Sequence, residues 1–97
     1  MLLKLGVDIS RLRKEIRIIL PVIENLFDEE GIGEPVITST YEGDHGVGSL
    51  HYQNLAIDFR SWSLNTLNIA KRLREKIGND YDVVVEIDNI HVEYDPD

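Results

Sequence analysis

The chain has 97 residues, 42% hydrophobic and 29% charged, which fits one small domain over residues 1–97 with a single core and little spare stability. Its 18 acids against 10 bases give a net charge of -8, the wrong sign for a generic duplex-DNA or anionic-membrane binder. Cysteine is absent, which excludes a disulfide framework, a thiolate zinc knuckle and a cysteine nucleophile, and no apolar run approaches the ~20 residues of a membrane span.

Met1 to Leu5 is too short for the apolar core of a signal peptide, so the expectation is synthesis in the cytoplasm without a leader. Ile9, Leu12, Ile16, Ile19, Leu20, Ile23 and Phe27 recur at spacings of three and four, which predicts a helix from about Asp8 to Glu30. Asp8 or Ser10 can cap its start, Pro21 should kink or divide it, and Gly31 and Gly33 end it. Its charges run against the helix dipole, with Arg11, Arg13 and Lys14 at the positive end and Asp28, Glu29 and Glu30 at the negative end. A solvated face whose apolar side packs firmly accounts for that better than a basic patch for an acidic partner.

Val36 to Tyr41 is β-branched and predicts a strand; Glu42 to Gly48 holds three glycines and reads as a loop. Leu55 to Phe59 is a second strand. Ser63 is a plausible cap for a helix over Leu64 to Ile77, with Leu67, Ala70, Leu73, Arg74 and Ile77 at helical spacing and Gly78 closing it. Asp82 to Ile87 and Ile90 to Tyr94 are two more strands, joined at Asp88-Asn89 by turn chemistry. The order αββαββ predicts an α+β fold, a small antiparallel four-stranded sheet with two helices packed on it.

The residues that could carry chemistry cluster late in the chain. His51 stands where a loop enters a strand, Asp58 lies within that strand, and His91 lies in the last one. Imidazole and carboxylate are good zinc ligands, and three protein ligands with an open position make a hydrolytic zinc site. Taken singly, each histidine reads as a satisfied polar residue. Asp58, flanked by Ala56, Ile57 and Phe59, needs a partner if buried; a metal, Arg60 or a lysine would serve.

Ser49-Leu50-His51-Tyr52-Gln53-Asn54-Leu55-Ala56-Ile57-Asp58 resembles the Ser-x-His-x-x-Gly-x-Ala-x-Asp motif of the zinc D-alanyl-D-alanine carboxypeptidase family. That family includes phage L-alanyl-D-glutamate endolysins and shares its fold with the hedgehog signalling domain. Asp88-Asn89-Ile90-His91 resembles its second motif, an acid three residues before the last ligand, and Ile37-Thr38-Ser39 resembles the strand before the first. The resemblance spans about Val36 to Glu93. It implies a hedgehog-like peptidase fold, zinc on His51, Asp58 and His91, and Asp88 as the general base. It also implies hydrolysis of an amide in the peptidoglycan stem peptide, by an endopeptidase or a carboxypeptidase. The alternatives are an inactive binding module that keeps the zinc, and a metal-free acidic interaction domain.

Two positions depart from the family pattern. Its Gly is Asn54 here, which tolerates positive φ, and the Arg that helps hold the substrate's charge is replaced by Glu42. Another donor toward substrate is then needed. His45 in the glycine-flanked loop and Arg60, two residues from Asp58, are candidates, with a solvated histidine and an ordinary salt bridge as the plainer readings. Ser49 reads as an orienting residue for the His51 loop. Trp62 and Tyr52 are candidates for a cleft wall or for core packing, and Glu86 and Glu93 for support behind a ligand histidine or for solvent. Synthesis without a leader fits a phage lysis enzyme or virion part acting at the cell wall, or an enzyme working on wall fragments in the cytoplasm.

Overall fold

The computed structural model describes residues 1–41, 53–62 and 65–96, and in it Pro21 divides the long helix expected at the start. A single turn, α1 (Lys14–Arg17), is followed by α2 (Leu20–Glu30), with Pro21 in the first turn, where its missing N–H has no intrahelical partner to lose. Residues 8–13, expected to be helical, are not. Asp8 takes the Ser10 backbone N–H at 2.8 Å, and the Arg17 guanidinium donates to the carbonyls of Ile9, Ser10 and Leu12, so side chains there satisfy groups a helix would have used. Gly31 ends α2 at φ 64°, the Gly31 N–H reaching Asp28 O and the Ile32 N–H reaching Phe27 O.

The later of the two expected helices, α3 (Thr66–Ile77), takes its cap from Asn65, whose side chain accepts the Asn68 N–H; Ser63 lies outside the described residues. Leu67, expected on the core side, is 74% exposed, and Ile69 takes that place beside Ala70 and Leu73. The reversed charges at the end of α2 also find their use. Arg72 of α3 bridges Glu29 at 2.7 Å and Glu30 at 2.8 Å, and Lys76 reaches Glu29. The acidic end of α2 is thus paired with the basic half of α3 rather than simply solvated.

The sheet has five strands in the order β1-β2-β3-β5-β4: β1 (Leu2–Leu3), β2 (Val36–Ser39), β3 (Ala56–Arg60), β4 (Tyr81–Val85) and β5 (Asn89–Tyr94). The α+β class stands, but β1 runs parallel to β2, so the sheet is mixed and five-stranded rather than antiparallel and four-stranded. A two-residue strand offers no alternation to read; it is held by backbone bonds from Leu2 to Pro35 and from Lys4 to Ile37.

Ile37, Ile57, Phe59, Val83, Ile90 and Val92 face α2 and α3 in one buried cluster. Phe59 meets Phe27 edge-on at 5.8 Å. Alternation then sends Asp58, Arg60, Asn89, His91 and Glu93 to the opposite face. No helix among the described residues is long and apolar enough to cross a membrane.

Candidate metal site on the outer face of the sheet

Register places Asp58 of β3 directly across from His91 of β5, and the side chains meet: His91 Nδ1 lies 2.8 Å from Asp58 Oδ1. The other ring nitrogen, Nε2, lies 2.8 Å from Glu93 Oε1, two residues along on the same face. Asp58 and His91 are only 14% and 15% exposed. The half-buried aspartate therefore has a histidine for a partner. Burial alone would lower the His91 pKa, but the hydrogen bonds to Asp58 and then Glu93 outweigh it and hold the imidazole up at about 9.

A β-bulge adjoins the pair. Ile37 pairs with Phe59 and Ser39 with Asp58, so Thr38 is the extra residue on β2, and its hydroxyl donates to the Asp58 carbonyl at 3.3 Å. Before β3, Asn54 adopts φ 62°, the left-handed conformation that suits the glycine of the resembled motif.

Asp58, Glu86 and His91 offer ligand atoms that all lie within 4.8 Å of one another, a group that could hold a metal ion. An imidazole nitrogen and a carboxylate oxygen bound to one tetrahedral zinc sit roughly 3.3 Å apart, so the 2.8 Å pair needs to open only slightly. Glu93, on the far ring nitrogen, has the position of the carboxylate that commonly orients a ligand histidine. Of the two glutamates considered for support, Glu93 makes that bond, whereas exposed Glu86 joins the ligand group and accepts from the Asn89 side chain. A second group, Asp82, Glu93 and Asp95, also lies within 4.8 Å.

Asp88 sits in the tight turn between β4 and β5, where the Glu86 N–H donates to Asn89 O, so the turn centres on Ile87 and Asp88. Its own carbonyl accepts the Ser61 N–H at 3.1 Å. Because Asp88 precedes the strand, alternation does not force it away from Asp58. The two line one cleft of about 340 Å³ with Lys4, Thr38, Arg60, Trp62 and Asn89.

Arg60 stacks over the Trp62 ring at 4.1 Å, and Trp62, 59% exposed, walls the cleft instead of joining the core. His45, Ser49, His51 and Tyr52, with Glu42, lie outside the described residues. Sequence reasoning missed Lys4, because the strand that carries it to the cleft is too short to read. It also read Glu86 as support behind a ligand histidine or as solvated, although alternation through Asp82, Val84 and Glu86 sets it on the His91 face. No family model, curated protein or solved structure matches the chain.

Proposed function

We propose that the protein is a zinc-dependent hydrolase of an amide bond in the peptidoglycan stem peptide, acting as an endopeptidase or a carboxypeptidase. The observation that carries this reading is the Asp58–His91 contact across β3 and β5, with Glu93 on the far ring nitrogen. These are two of the three ligands that the motif resemblance implies, and His51 would be the third. Zinc held there would supply an activated water and polarise the scissile carbonyl. Asp88, which lines the adjoining cleft, would take the proton from the attacking water and hand it to the leaving amine. Arg60 faces the same cleft as a donor toward substrate, with His45 and Ser49 as further candidates from the sequence.

A zinc-containing, inactive binding module of the same fold is the second reading, favoured by Glu42 where the family has Arg. Metal analysis and digestion of purified murein separate the two. The hydrolase takes up zinc and releases stem-peptide amines, whereas the binding module takes up zinc and releases none. A chain that holds no zinc at micromolar concentration ends both.

A further inference from the structure

Two cations line the cleft beside Asp58. Lys4 arrives from the end of β1, and Arg60 from the end of β3. Among the described residues neither makes an ion pair, although the chain has 18 acids and two of them, Asp58 and Asp88, line the same cleft. The Arg60 Nε is buried and has no hydrogen-bond partner among the described residues. A guanidinium nitrogen left buried and unpaired is costly, and Asp58, beside it in the cleft, is engaged with His91. Trp62 meanwhile fixes the plane of the guanidinium, which preorganises its fork of donors toward a planar, two-oxygen acceptor.

We propose that Lys4 and Arg60, with Trp62 as the supporting wall, form a receptor for a carboxylate group of the ligand, in the cleft beside the Asp58–His91 pair. A carboxylate matches the guanidinium fork edge to edge and takes the lysine ammonium on its second lone pairs. Asp58 and Asp88 line the same cleft, and their charges disfavour a highly charged anion there. The inference rests on the proposed hydrolase only for its meaning there: the amide to be cut would lie next to a residue with a free carboxylate.

The test uses the full chain freed of metal with EDTA, so that zinc cannot be the receptor. Trp62 is the only tryptophan, which makes its fluorescence a direct reporter of the cleft. N-acetylglycine should give a saturable change that weakens with added salt, and N-acetylglycinamide should give none. Arg60→Gln should weaken binding of the acid by roughly tenfold or more, the loss expected for a charge-assisted pair. Lys4→Met, at an exposed position, should weaken it several-fold with the far-ultraviolet circular dichroism unchanged, and it decides the matter if Arg60→Gln does not fold.

Equal response to acid and amide, or wild-type affinity in Lys4→Met and a folded Arg60→Gln, overturns the proposal. Acid binding that persists in a chain unable to take up zinc would sink the hydrolase reading while leaving the carboxylate site intact.

Discussion

His91 is gripped at both ring nitrogens by carboxylates, and this sets the behaviour of the metal-free chain. Its pKa in the folded state is about 9, against an ordinary value near 6.5. Because the folded value is the higher, the stabilisation it contributes is fully present below pH ~6.5 and is lost as pH rises through about 9. A nuclear magnetic resonance titration of the imidazole, with melting temperatures in EDTA over the same range, should show this. An imidazole that titrates near 6.5 would contradict the double pairing. Asp58→Asn should bring the His91 pKa down, since it removes the charge beside Nδ1. At pH 7 zinc uptake should release protons, because the metal must displace one from the ring.

Asn54 is a second residue-level test. At φ 62° it should accept Asn54→Gly with little change, whereas Asn54→Val should cost about 1–2 kcal/mol in urea unfolding. Equal stability of the two variants would show that the left-handed turn is not required.

Among the elements, β3 links the core to the site. Ile57 and Phe59 are fully buried on the helix side, and Asp58 and Arg60 between and after them face the cleft. Phe59→Ala should therefore cost about 3–5 kcal/mol and loosen the Asp58–His91 pairing with it, seen as a fall in the His91 pKa in any variant that still folds. Both strands were legible in the chain, as Leu55 to Phe59 and Ile90 to Tyr94, and Pro21 marked the break in the first helix.

What could not be read has physical causes. The strand Leu2–Leu3 is too short for a period. The pattern of Ile9 and Leu12 continues past the point where Asp8 and Arg17 capture the backbone. The Leu67 position fits helical spacing but faces solvent, because α3 is turned so that Ile69 meets the core. At the site, the motif resemblance pointed to Asp58 and His91, but only strand register could show that they lie side by side, and only the folded chain brings Glu93 to His91 and Lys4 to the cleft that Asp58 lines.

For the molecule as a whole, zinc held by Asp58 and His91 would tie β3 to β5, and so would act on stability as well as chemistry. A ligand bound only by the folded chain raises the melting temperature by mass action, so EDTA should lower it in the zinc-loaded protein and leave the His91→Ala variant unmoved. Asp88→Asn should keep the metal and lose turnover on murein, since its role is to carry a proton; full activity in that variant would show that the base lies elsewhere.

The most direct test of the account is isothermal titration of metal-free wild type, Asp58→Asn and His91→Ala with zinc. It should give one zinc per wild-type chain at micromolar affinity or better, a weakening of at least roughly tenfold in Asp58→Asn, and no specific site in His91→Ala. A wild-type chain that takes up no zinc, or variants that bind it as tightly as wild type, would contradict the metal site on which the proposed hydrolase depends.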